Sequence, residues 1–192
     1  MKKIILSLFV AGALSMNAQD AVGYSKGNIA LTTGLGYNTN TLSSGTKVTG
    51  FNFTPEVMYM LKSNWGLSGM INYSSTKNEL AGVSTTASDF GIGAGIKHFF
   101  TPANALSFYL GGNAMVNFGD AAAGGVKGTQ FSLGFNPGFT YFIHKNWTLG
   151  ADLNLASLKI NAPETGDGST NFAVNNFTSI TAFNFKLAYV IK

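Results

Sequence analysis

Five charges stand inside segments that are otherwise apolar, small or rich in glycine: Glu56, Asp89, Lys97, Asp152 and Lys186. Charges in such settings pair with one another, because a lone buried charge is costly. The sharper alternative is a narrow proton or ion path through the same groups. General acid–base chemistry would need an imidazole or a carboxylate beside a substrate, and His98 and His144 are the only imidazoles. The sequence has no Cys, which removes disulfides and thiolate metal sites. It also has no Arg, so planar bidentate phosphate clamps are missing. Glu164 and Asp167 share a polar stretch, but two acids are too few for a cation site and read as a solvated loop. The Gly91-x-Gly93-x-Gly95 run has no helix after it, so it is not a nucleotide loop. Its glycines instead make room for neighbouring side chains and allow strand curvature.

The elements that position these groups are strands. Charged residues are only 10% of the chain, against about 25% in ordinary soluble domains. Aromatics reach 13% and there are 24 glycines. Lys2 and Lys3, then an apolar run from Ile4 to Met16, form a secretory leader expected to be cut after Ala18. Residues 19–192 are then one domain. Losing Lys2 and Lys3 lowers the formal charge from +4 to +2, too mild and too scattered for nucleic acid binding. Beyond the leader, no stretch has the apolar length of a membrane helix.

Alternation is the main signal. Ile29, Leu31, Thr33, Leu35 and Tyr37 share one parity, and Ala30, Thr32, Gly34 and Gly36 share the other. The same two-residue period recurs over Phe51–Leu61, Trp65–Ser74, Asp89–Lys97, Leu106–Asn117, Gln130–Ile143, Trp147–Leu155 and Phe183–Ile191. A helix would place apolar residues three and four apart. One face is large and apolar; the other is small and polar and carries the five charges. That is the pattern of a barrel with lipid outside and a polar interior. A soluble barrel would reverse it.

An internal repeat sets the topology. Residues 53–67 and 135–149 share Phe, Pro, Tyr, Asn, Trp and Leu at an offset of 82, with a weaker copy at His98–Leu106 halfway between. Short turns are expected at Lys62–Asn64, Thr101–Asn104 and His144–Asn146. Long loops are expected at Asn38–Gly50, Ser75–Ser88, Gly119–Thr129 and Asn161–Asn176. Three turns and four loops make eight strands, with both termini on the short-turn side. Glu56, Lys97, Asp152 and Lys186 each lie about five to seven residues from that side, a similar depth at a rise of about 3.3 Å per residue. Even strand number, short periplasmic turns and long outer loops are the rule for outer-membrane barrels. The expected fold is therefore an all-β, eight-stranded antiparallel up-and-down transmembrane β-barrel. Tyr59, Trp65, Tyr141, Trp147 and Tyr189 cluster toward the short-turn side and suit a membrane interface. Phe51, Tyr73, Phe90, Phe118 and Phe131 would form the opposite girdle. Pro55 and Pro137 fall inside strands, where each calls for a bulge.

The strand layout and the terminal Phe185-Lys186-Leu187-Ala188-Tyr189-Val190-Ile191 resemble the small outer-membrane barrel family that includes the OmpX-like and OmpA-like transmembrane domains. The resemblance implies location in the cell outer membrane. It implies contact with outer-membrane lipid and lipopolysaccharide, and with the barrel-assembly machinery during biogenesis. Lys192 ends the chain where that family usually places an aromatic residue. No cofactor and no enzymatic activity are expected. His98 is outward near the periplasmic end and His144 lies in a periplasmic turn, so neither suits catalysis at the outer leaflet. A structural or surface-interaction role is the leading expectation, and a narrow pore for ions or very small solutes the alternative. Amino-terminal sequencing of protein recovered from membranes is expected to begin at Gln19; a chain retaining Lys2 and Lys3 would refute the leader.

Overall fold

The computed structural model describes residues 23–42, 44–80, 82–119, 127–174 and 183–192. The expected leader lies outside them. Among the described residues ten strands follow in order: β1 (Ile29–Thr41), β2 (Lys47–Lys62), β3 (Trp65–Leu80), β4 (Val83–Phe99) and β5 (Leu106–Gly119) come first. Then come β6 (Gly128–Phe142), β7 (Trp147–Leu153), β8 (Ala156–Pro163), β9 (Ser169–Val174) and β10 (Phe183–Ile191). Each of β1 to β6 pairs antiparallel with the next, β7 pairs with β10, and β10 returns to β1. That is a closed ring of eight strands. β8 continues the seventh wall position along the far half of β6, and β9 pairs with β8.

Three of the stretches read as long loops are largely strand. The β1–β2 ladder runs out to the Thr41–Lys47 rung. The β3–β4 ladder is continuous from Trp65–His98 to Leu80–Val83. Residues 161–176 contain most of the β8–β9 hairpin. The physical reason is plain. Thr favours strands much as apolar β-branched residues do, and Thr–Thr and Thr–Ser pairs support a ladder. Where both faces of a hairpin are polar, alternation disappears from the sequence although the strand continues.

The two prolines are accommodated differently. Opposite Pro137 the wall does carry a bulge, on the neighbouring chain segment. Phe135 pairs with Ala156 and Gly138 with Asp152, so one extra residue sits between β7 and β8. The Leu155 amide bonds back to the Phe135 carbonyl there at 2.9 Å. At Pro55 the expected bulge is absent. Phe53–Tyr73 and Glu56–Met70 keep one register, and the ladder simply skips the rungs between them. The Thr54 hydroxyl donates to Asn72 Oδ1 at 3.0 Å across that gap.

The faces divide as the alternation requires. Leu35, Val57, Ile92, Phe108 and Phe185 are exposed on the outside, while Glu56, Ser107, Thr148 and Asp152 are buried within. Among the described residues, an apolar cluster of buried side chains lies at the short-turn end. It is built from Tyr24, Ala30, Met58, Met60, Phe99, Tyr109, Phe142 and Val190. Four of these occupy equivalent places. The amides of Met60, Phe99, Phe142 and Val190 donate to the carbonyls of Asn28, Asn64, Ala105 and Asn146, at 2.9, 2.8, 2.8 and 2.7 Å. Each acceptor is the residue just before an ascending strand, so each turn is stitched to the strand beside it. Each donor sends an apolar side chain inward. Asn64, Ala105 and Asn146 are spaced by the period of about 41 residues already visible in the sequence.

Ala94 sits midway along the exposed outer face of β4. In lipid vesicles, Ala94→Lys is expected to lower unfolding stability by about 2–4 kcal/mol. Thr85→Lys, on the protruding hairpin, should change it little. Denaturant titration of the refolded proteins would measure both, and equal effects would contradict a lipid-facing band at Ala94.

Candidate functional site

The interior is stacked in three layers. Nearest the short turns is the apolar mouth just described. Above it lie four of the five inward charges. Lys97 Nζ is 2.6 Å from Glu56 Oε1, and Lys186 Nζ is 3.8 Å from Glu56 Oε2 and 2.5 Å from Asp152 Oδ2. These residues come from β2, β4, β7 and β10, so the chain of charges crosses the lumen and sums to zero. Glu56 and Asp152 are 4% and 3% exposed, which makes the pairing obligatory rather than decorative. Two neutral groups complete it. The Tyr109 hydroxyl and the Asn184 amide each donate to Asp152 at 3.2 Å. Lys97 Nζ also lies 5.5 Å from the centre of the Tyr109 ring, within cation–π range.

Asp89, the fifth charge, does not join them. It lies in the layer above, where the Ser74 hydroxyl donates to its Oδ2 at 3.4 Å. Parity placed Asp89 on the inner face, but its position along β4 is eight residues from Lys97. At about 3.3 Å per residue that is a different depth.

The third layer is made of amides. Thr54 donates to Asn72, Asn72 to Asn117 (3.4 Å), and Asn117 to Gln130 (3.5 Å). Gln130 donates to Asn161 (2.8 Å), and Asn161 to Ser169 (2.9 Å). The chain runs around the wall from β2 to β9. It can cross β4 because Gly91 lies between Asn72 and Asn117. A Cβ there would stand 2.0 Å from Asn117 Oδ1. Below this tier, Asn136 donates to Asn113 at 2.7 Å. A cavity of about 160 Å³ remains between amides and charges, lined in part by Asn52, Met70, Asn113 and Met115.

The two imidazoles and the loop carboxylates lie outside these layers. His98 faces outward, with its ring 4.6 Å from Trp65 and 5.2 Å from Phe100. His144 is exposed in a turn. Glu164 and Asp167 are exposed in the β8–β9 turn. Among the described residues no group of three or more His, Cys, Asp or Glu could hold a metal ion.

A closed ring that is apolar outside and ion-paired inside fits a family model described as outer membrane protein beta-barrel domain, which matches residues 6–189. The chain belongs to that family. The outer membrane is its location, and its short-turn end is periplasmic. No curated protein sequence matches it. Among solved structures, the chain is similar to the outer membrane protein OprG from Pseudomonas aeruginosa. Identity is 11% and the TM-score 0.53, over 90% of this chain and 99% of that one. Neisserial surface protein A matches with 18% identity and TM-score 0.49, over 84% and 94%. Ail, the attachment invasion locus protein of Yersinia pestis, matches with 15% identity and TM-score 0.42, over 86% and 99%. OprG shares the fold, and these similarities carry nothing further.

On the outside of this outer membrane barrel, Tyr59, Trp65, Trp147 and Tyr189 are exposed toward the periplasmic rim, and Tyr141 is half-buried. Trp147 and Tyr189 contact each other at 5.1 Å. Phe51, Tyr73, Phe90, Phe118 and Phe131 are exposed toward the opposite rim. Three aromatic residues inside the barrel escaped the sequence reading. Phe99 and Phe142 have inward parity, but each follows or precedes outward apolar residues that mask it. Tyr24 precedes the first strand, where no periodicity reaches it.

Glu56→Gln leaves Lys97 and Lys186 sharing one carboxylate. It is expected to destabilise the barrel by about 3 kcal/mol, read as a lower temperature for loss of the compact band on SDS gels. Adding Lys97→Met should recover most of that loss, and no recovery would mean that Glu56 matters for something other than its charge.

Proposed function

We propose that this barrel is a non-enzymatic surface and structural protein of the outer membrane, with its outer hairpins as the contact surface. The observation that carries this reading is the apolar surface at the hairpin ends. The β3–β4 ladder extends from the Tyr73–Phe90 rung out to Leu80–Val83, roughly 20 Å of further strand. At the outer ends, Leu42, Leu80 and Val83 are 47%, 50% and 71% exposed. Apolar side chains beyond the lipid band favour a partner. The filled interior supports the same reading, since ion pairs and amides occupy the space a solute would need. The wall would meet outer-membrane lipid and lipopolysaccharide, and the β10 strand would be the segment offered to the assembly machinery.

The 160 Å³ cavity among polar side chains keeps the narrow-pore reading alive as a second one. Two measurements separate them. The protein in planar bilayers is expected to show no discrete conductance steps. Cells displaying it are expected to bind surfaces or host material more than cells displaying a variant with Leu80→Ser and Val83→Ser. Equal binding by that variant, with its heat-dependent gel shift intact, would refute the hairpin ends as the contact surface. Reproducible conductance steps would favour the pore.

A further inference from the structure

The ring of Met60, Phe99, Phe142 and Val190 surrounds the periplasmic mouth, and a side chain from outside the wall is packed into it. Tyr24 is 3% exposed, with its ring 4.6 Å from Phe99 and 5.1 Å from Phe142. Of the buried apolar cluster, it alone is not on a wall strand. Its segment is fastened on both sides of the opening. On the β1–β2 side, the Gly27 amide donates to the Met60 carbonyl at 2.9 Å, and within the segment the Ser25 amide donates to Asn28 Oδ1 at 2.7 Å. On the far side, the Tyr24 amide donates to the Pro102 carbonyl at 2.7 Å. Pro102 lies in the turn between β4 and β5, which the ring order sets opposite the β1–β10 seam. The segment therefore crosses the mouth. Gly23 fits against that turn with φ +156°, and a Cβ on it would stand 2.4 Å from the Pro102 oxygen.

We propose that Tyr24, carried by the Gly23–Asn28 strap, is a stopper that isolates the charged layer of the lumen from the periplasm. The charges do not make this seal themselves. Between Tyr24 and the pair Lys97 and Lys186 lies a cavity of about 20 Å³, bordered by Thr32, Thr140, Thr148 and Gly150. That is room for about one water with polar partners. The dry barrier is thus the apolar mouth alone. Its four ring residues are built into the wall and cannot leave without breaking ladders. The strap is held by a few bonds and can leave while the ring stays closed. The device is independent of whether the outer hairpins bind anything.

The absence of Cys makes a reporter simple. With Thr140→Cys as the only thiol, folded protein in detergent is treated with a charged, water-soluble methanethiosulfonate. Labelling is expected to be slow. Adding Tyr24→Ala should speed it by roughly tenfold or more, since a buried thiol reacts only when water and reagent reach it. Tyr24→Phe, which keeps the ring, should stay slow, and Gly23→Val, which unseats the strap, should be fast. The heat-dependent gel shift is read on every sample, so a lost barrel is told apart from an opened one. Rapid labelling with Tyr24 in place would overturn the seal. Slow labelling in both Tyr24→Ala and Gly23→Val barrels that keep the shift would assign the seal to the ring alone and overturn the stopper.

Discussion

Hydrocarbon offers no partner to a backbone amide, and that constraint shapes this molecule more than any side chain does. A sheet placed there must close on itself, because an open edge would leave unpaired groups in lipid. Closure joins β1 to β10 across Ile29–Ile191 through Gly34–Lys186. Once the ring is closed, the outside must be apolar and the inside must accommodate whatever the wall turns inward. Eight strands leave little lumen, so the inward side chains meet each other. Their chemistry is then decided by depth: apolar at the mouth, ionic above it, amide beyond.

Much of this was legible in the sequence, because a two-residue period is a direct projection of the wall onto the chain. The strand cores from Ile29 to Tyr37 and from Trp65 to Tyr73 were readable that way. So were the short turns, because the 41-residue repeat marks them. The outer hairpins were not, since residues such as Thr76, Asn78, Thr85 and Thr86 are polar on both faces and carry no alternation. Parity also assigned the charges to the lumen. Counting residues from the short turns put Glu56, Lys97, Asp152 and Lys186 at a similar depth, and these four do meet; Asp89, eight residues farther along β4 than Lys97, sits in another layer. The prolines show a limit. Both lack a donor, but whether a bulge forms depends on the neighbouring strand, which gave one opposite Pro137 and none at Pro55.

The glycines of β4 show how the interior is filled without being crowded. Gly91 admits the Asn117 side chain, and Gly95 lies beside Ser68 and Met70. In this wall the absence of a side chain on one strand is the space for a side chain from another. A lumen that looks poor in residues when read along one strand is well occupied when read around the ring.

The stitched mouth also has a consequence for how the chain matures. The last stitch joins the Val190 amide to the Asn146 carbonyl, with the Asn146 side chain bonding back to the Val190 carbonyl at 2.5 Å. Val190 belongs to the final strand, and that strand pairs with the first. The apolar seat around Tyr24 is therefore incomplete until β10 has docked, and its pairing with β1 joins residues as distant in sequence as Ile29 and Ile191, a separation that slows formation. Seating of the amino-terminal strap and docking of the carboxyl-terminal strand become one late event. A barrel still open at its seam would also be open at its base, and completion of the wall would finish both at once.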